Sequence, residues 1–453
     1  YGRIGQVSRG QTFTITGKEK AKSVYTAATA DEAMQWKSYP TWRQYDTIMN
    51  RIAETWPASC VLDTIGFSIM GRAILALKIT DNPQAEENEP RVMLSASMHG
   101  DELAGFVLMM RLAEYLASHS NDGSLAQKLV SGLEIWINPL SNPDGMYRTH
   151  DSILYPVRAN SNGYDLNRNY PDPEVTYPDP LQKENVEMIS FLRKKHFVLS
   201  VNFHGGAEVV NYPWDKWTRL HADDQWFENI CRRYADTVHL HSEAGYMSFM
   251  DNGITRGSEW YNIRGGRQDY VTWELRGREV TIEIDDEKQT PATRLDALWN
   301  YNHRSFLRYL EEALYGISGV VTSEKSGLPA GAKVFITGYD TDSSHVYTDT
   351  VTGLFNRYLA PGVWTLTITC DGFEPYIARD VVVEWNELTT LDIKLQDPAP
   401  YPDPPTSGLL IYPAPYDGTE KVKILPPARL SGNVIMTVAT ISGSVVYSSE
   451  ETY

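Results

Sequence analysis

The sequence predicts an α/β domain with a sheet covered on both faces, then a small all-β sandwich, then a further β-like C-terminal segment. Three observations lead there. Apolar strand-like runs at Ile74–Thr80, Val92–Ser97, Leu133–Asn138, Val198–Phe203 and Val280–Ile284 alternate with helical patterns near 102–118 and 184–195, which is α/β order. The run Arg91–Ser97 lacks the polar alternation of a half-exposed strand, as expected where both faces are buried, and ligands gather beyond the carboxyl ends of such strands. From about residue 315 the helical period gives way to short strands and turns: Gly319–Thr322, Ala332–Thr337, Val363–Thr369 and Val381–Val383.

In chain order, residues 1–40 form a polar, Thr-rich extension with one strand-like alternation, Gln11–Thr16, and no role can be assigned to them. Thr41 with Gln44 three residues later forms a capping box, and Trp42, Tyr45, Ile48, Met49 and Ile52 follow with helical spacing. This helix opens the main domain, 41–314. The sandwich occupies 315–396, and a linker over 397–408 contains five prolines that favour extended chain. The segment 409–453 is again β-like.

The 453 residues are 42% apolar, enough for one large core and small modules beside it. No stretch approaches the roughly 18 apolar residues of a membrane span; Phe106–Leu116 is interrupted by Arg111 and Glu114. A formal charge of −17 excludes nucleic acid as the natural partner and suits basic or neutral ligands. Cys60, Cys231 and Cys370 contain no C-x-x-C pair, so no thiolate metal site or disulfide scaffold is written here. The chain starts at Tyr1 rather than Met, and a leader segment is expected to have been removed.

Four segments carry chemistry. His99 and Glu102 stand three apart where a strand meets a helix, and an imidazole and a carboxylate so placed can converge on a metal ion; an acidic helix start beside a turn histidine is the bland alternative. His204 ends another apolar strand and supplies a third ligand, giving the two-His, one-Glu set common for zinc in hydrolases. His239 and His241 alternate as on a strand but have no third ligand nearby. The Asn- and Gly-rich loop Arg158–Pro171 holds Arg158 and Arg168, whose guanidinium groups match carboxylates and stabilise oxyanions; a surface loop with salt bridges is the competing reading. Glu279 and Glu283 alternate onto one strand face, and a carboxylate on a buried strand needs a reason, which a general base beside an acidified water would supply.

In this order, His99-x-x-Glu102, Arg158 with Asn167-Arg168-Asn169, His204-Gly-Gly with Asn211-Tyr-Pro, Trp260-Tyr261 with Gly-Gly-x-Gln268-Asp269, and Glu279-x-Thr-x-Glu283 resemble the zinc metallocarboxypeptidases over residues of about 40–395. The likeness is nearer to the regulatory subfamily that includes carboxypeptidases D, N, E and M. The pattern Gly353-Leu-Phe355 to Leu366 resembles the transthyretin-like domain that follows the catalytic domain there. The resemblance implies a mixed sheet flanked by helices and one zinc ion per chain, held by His99, Glu102 and His204. It implies that Glu283 activates the zinc-bound water and that Arg158 polarises the scissile carbonyl. Asn167 and Arg168 match the clamp for a substrate's terminal carboxylate, with Tyr261 closing over it, and Asp215 with Gln268 match a pocket for C-terminal Lys or Arg.

The expected partners are therefore peptide or protein C-termini, and the expected chain is a monomer. Lys216, Arg264 and Arg267 lie close to the inferred pocket in sequence and would oppose a basic side chain if they faced it. Two alternatives stay open: trimming of peptidoglycan peptides, and a catalytically silent peptide-binding surface protein. The segment 409–453 resembles the sorting domains of secreted Bacteroidetes proteins, which implies a secreted, surface or periplasmic location.

Overall fold

In the computed structural model, the structure describes residues 25–175 and 179–397, and the strands at 410–412, 423–425, 433–439 and 445–452. The Gln11–Thr16 alternation and most of the proline-rich linker fall outside the described residues.

The main body is built on an eight-stranded mixed sheet of β1 (Cys60–Phe67), β2 (Ala73–Ile79), β3 (Arg91–Ala96), β4 (Glu134–Asn138), β5 (Leu199–His204), β6 (Val209–Tyr212), β7 (Ile254–Arg256) and β8 (Arg278–Glu283). Their spatial order is β1-β2-β4-β3-β5-β8-β6-β7, with β4, β3, β5 and β8 mutually parallel at the centre. The period of two along β3 explains the layering. Val92, Leu94 and Ala96 enter one core with the helices Trp42–Thr55, Ala104–Ser118, Asp224–His239 and Leu295–Glu311. Met93, between them, enters a second core with the helices Lys183–Lys195 and Arg267–Glu274. Both faces are covered, as the unbroken apolar strands predicted.

The first helix has the capping box read from the sequence, Thr41 accepting from the Gln44 N–H and Gln44 returning to Thr41. Of the segment before it, the described residues 25–40 do not stand apart. Ala27, Ala33, Trp36 and Tyr39 are buried in the first core, and the Tyr39 hydroxyl donates to the Thr290 carbonyl at 2.8 Å. The strand expected around His239 is absent: Trp226, Phe227, Ile230, Cys231, Tyr234, Ala235 and Val238 form the apolar stripe of the helix Asp224–His239, and His239 sits in its last turn. All three cysteines are free thiols, Cys60 and Cys231 being buried.

A seven-stranded sandwich follows, formed by β9 (Gly316–Ser323), β10 (Lys333–Phe335), β11 (Val346–Tyr347), β12 (Leu354–Arg357), β13 (Gly362–Thr369), β14 (Tyr376–Val383) and β15 (Leu388–Leu395). Sheets β11-β10-β13-β14 and β12-β9-β15 enclose Ile317, Val321, Val334, Phe355, Leu366, Ile368 and Ile393. It joins the main body through buried charge: Asp223 accepts from Arg278 at 2.6 Å and from Arg357 of the sandwich at 2.7 and 2.9 Å. Beyond residue 397 lie two antiparallel pairs, Leu410–Tyr412 with Lys423–Leu425 and Asn433–Ala439 with Val445–Thr452. Among the described residues no helix is long and apolar enough to cross a membrane.

Candidate metal centre and substrate cleft

The centre forms where the parallel strands end. β3 finishes at Ala96, Ser97 takes a positive φ of 53°, and the chain turns through His99 and Glu102 into the helix that begins at Ala104. Gly100 is needed in this turn because a Cβ there would lie 2.2 Å from the Gly145 carbonyl carbon. His204 is the last residue of β5, and Glu283, the last of β8, is its register partner.

These placements gather His99, Glu102 and His204, all buried, with one ligand atom from each lying within 4.8 Å of the others. Nδ1 of His99 is 3.0 Å from the Glu102 carboxylate and 3.0 Å from Nδ1 of His204, which is 2.8 Å from the other Glu102 oxygen. Outer partners fix the rings. Nε2 of His99 faces Asp165 at 3.0 Å, so donating that N–H leaves the Nδ1 lone pair toward the centre. Nε2 of His204 faces the Asn202 side-chain amide at 2.8 Å, which does the same when it presents its otherwise unpartnered oxygen. Two imidazole nitrogens and a carboxylate converging in a buried site satisfy one another only around a proton or a cation, and the set fits Zn²⁺.

The electrostatics agree with that geometry. Burial would raise Glu102, but His99 and His204 hold it well below the usual carboxylate range. Burial would depress His99, yet the Glu102 and Asp165 carboxylates raise it, while burial takes His204 down to about 4. Lys288 and Arg158 also donate to Glu102, at 3.0 and 3.3 Å.

The centre opens into a cleft lined by Arg158, Asn167, Asn211, Asp215, Tyr261 and Glu283 together with the two histidines. Glu283 is 8% exposed and its Oε2 has no partner; burial, then the Glu102 charge, push it well above the usual range. Glu279, four residues earlier on the same face, lies behind, bonded to Ser200 at 2.7 Å and paired with Arg267 at 3.1 Å. Arg158 is held by Asp165 at 2.9 Å, and its Nη1 lies 3.0 Å from the His99 ring. Arg168 is exposed, with Nη1 bonded to the Asn167 carbonyl at 2.8 Å, and Tyr261 is exposed at the rim.

At the floor, Asp215 accepts from Asn211 at 2.9 Å and from Gln268 at 3.0 Å, and the amide oxygens of both donors are unpartnered. Gly257 makes room for it, since a Cβ there would meet the Asp215 carboxylate at 1.9 Å. Burial brings Asp215 up to about 6. Of the nearby cations, Arg267 is fully buried against Glu279, and Lys216 is committed to Asp172 and Glu174. Neither acts as a free charge in the pocket; Arg264 is exposed.

Sequence reasoning assigned no role to Asp165, Asn202 or Asp269, although Asp269 stands in the Gly-Gly-x-Gln268-Asp269 motif. Asp165 had a signal: it sits two residues before Asn167 and caps the short turn Leu166–Arg168. Asn202 lies two residues before His204, on the same strand face.

The chain matches the zinc carboxypeptidase family over residues 45–305 and the carboxypeptidase regulatory-like domain over 316–396. It is 32% identical to carboxypeptidase D of Homo sapiens over 357 residues, 75% of this chain but 25% of that protein, so it spans about a quarter of that relative's length. It is 30% identical to the carboxypeptidase N catalytic chain of Mus musculus, covering 69% of this chain and 76% of that one. The fold is similar to carboxypeptidase A from Helicoverpa armigera, with a TM-score of 0.55 at 17% identity over 65% of this chain and 76% of that chain.

Proposed function

Since the chain belongs to the zinc carboxypeptidase family, we propose that it is an exopeptidase that removes C-terminal lysine or arginine from peptides. Zinc, when bound by His99, Glu102 and His204, supplies a Lewis acid that polarises a carbonyl and acidifies water. The remaining work falls to the chain's own groups. Arg158, charged at any working pH, stabilises negative charge developing on the carbonyl oxygen. Glu283, with one carboxylate oxygen free of partners, takes the proton of the attacking water and returns it to the departing amine. Asn167 and Arg168 hold the terminal carboxylate, and Tyr261 closes over it from the rim.

The observation that carries the specificity is the floor of the cleft. A buried carboxylate flanked by two unpartnered amide oxygens presents only acceptors, and the side chains that supply several donors and a positive charge are those of Arg and Lys. Cleavage of matched peptides ending in Arg, Phe and Glu tests this: the Arg peptide should lead, and a faster Phe peptide would overturn the reading. Amidating the peptide's terminus removes the charge that Arg168 holds and should lower kcat/KM by about 10-fold or more, for a charged hydrogen bond worth ~1.5–3 kcal/mol.

The pH dependence has a definite sign. Asp215 must be ionised to attract a cation, and with its pKa near 6 the anion is lost as pH falls below that value. The Arg-over-Phe preference, measured as a ratio of kcat/KM, should therefore decline between pH 7 and about pH 5. We further propose an exported location, supported by the likeness of 409–453 to sorting domains.

A further inference from the structure

The helix Arg267–Glu274 touches both ends of the substrate site with three consecutive residues. The Arg267 N–H donates to Asn167 Oδ1 at 2.9 Å, in the clamp for the terminal carboxylate. The Gln268 side chain donates to the Asp215 carboxylate at 3.0 Å. Asp269 takes hold of the backbone instead: its two carboxylate oxygens accept the N–H groups of Asp215 and Lys216, each at 2.9 Å. The Asp215 carbonyl is bonded in turn by the Ile263 N–H at 3.2 Å. The backbone carrying the specificity carboxylate is thus held on both sides, and the distance from clamp to pocket floor is set by one helix end.

Resting on the specificity reading above, we propose that Asp269 is a positioning residue for substrate selection, holding the Asp215 backbone at the depth where a clamped peptide's terminal basic side chain reaches it. The reason is geometric. A peptide fixed by its carboxylate delivers its side-chain cation to one depth, and a charge-assisted contact weakens steeply once donor and acceptor leave the usual 2.7–3.2 Å range. Two adjacent N–H groups are matched best by two anionic oxygens. An asparagine can accept only one of them and turns its own NH₂ against the other. The location of Asp269 carries a cost that supports a role of this kind: burial and the neighbouring Asp215 both work against its charge, and the two backbone bonds oppose them.

The experiment uses the full chain with zinc, and peptides identical except for a terminal Arg or Phe. The wild type is measured first; absence of an Arg preference there defeats the specificity reading and this proposal with it, before any variant is made. Given that preference, Asp269→Asn should raise KM for the Arg peptide by about 10-fold or more while kcat, and kcat/KM for the Phe peptide, change by less than about 3-fold. In an Asp215→Ala background the same substitution should have no further effect on the Arg peptide, because the group being positioned is gone. Equal losses for both peptides, or full additivity with Asp215→Ala, would overturn the proposal. Zinc content and the unfolding midpoint verify folding; if Asp269→Asn does not fold, Asp269→Glu, which keeps the charge but shifts it by one methylene, takes the same test with the same expected outcome.

Discussion

Replacing Glu283 with Gln is expected to lower kcat by roughly 10²–10⁴-fold while the protein keeps its zinc and its fold. Glutamine has the same shape and does not disturb the packing of β8, and Glu283 is not among the three groups that converge as metal ligands. What the substitution removes is proton-accepting capacity at a buried carboxylate oxygen, Oε2, that has no protein partner. In the protein without metal, burial and the Glu102 charge keep Glu283 well above the usual carboxylate range. A divalent cation held by His99, Glu102 and His204 would favour the Glu283 anion. Zinc content by atomic absorption, with kcat and KM on an Arg-ending peptide, makes the check. Unchanged kcat would remove Glu283 from the proposed mechanism. A wild type without turnover would instead revive the silent peptide-binding alternative.

The metal centre was legible in the sequence because its geometry is local. His99 and Glu102 flank a single strand-to-helix turn, and His204 and Glu283 are each the last residue of a parallel strand, where ligands gather; the family resemblance implied that the four share one site. The central strands and the first helix were legible for the same reason, their periods being set by neighbours a few residues away. What stayed hidden depends on partners far along the chain. β1, β6 and β7 lie toward the edges of the sheet, and β6 and β7, at four and three residues, offer little period to read. Arg267 looked like a charge that would repel a basic substrate until the fold placed it against Glu279 and Ser95 in the interior. Lys216 was neutralised by Asp172 in the same way, across 44 residues of chain. Residue type and spacing reveal which groups can do chemistry, but whether a charge is free is decided by tertiary pairing.

The same distinction governs the second large effect, which concerns stability. Asp223 lies with no exposed side-chain surface between Arg278, at the start of β8, and Arg357 of the sandwich, itself bonded to Asp340 at 2.7 Å. Tyr339 adds a hydroxyl at 3.2 Å, and the Ser344 carbonyl accepts from Arg278 at 2.7 Å. Two aspartates and two arginines balance, and removing one anion leaves a buried guanidinium without its counter-charge. Asp223→Asn is therefore expected to destabilise the protein by about 3–5 kcal/mol, the usual consequence of breaking one side of a buried pair. Tyr339→Phe, which removes one hydroxyl shared between the Ala222 carbonyl at 2.8 Å and this carboxylate at 3.2 Å, should cost only about 0.5–1.5 kcal/mol. The acid dependence follows from linkage. Burial would raise Asp223, but Arg357 and Arg278 hold its folded-state pKa below the unfolded value near 3.9, so its contribution is complete above about pH 4 and fades as pH falls further. Denaturant unfolding of wild type and Asp223→Asn should show a gap that is constant from pH 7 down to about pH 4 and narrows below it. A gap under about 1 kcal/mol at pH 7 would mean that the apolar contacts, not this cluster, fasten the sandwich to the strand whose other end carries Glu283.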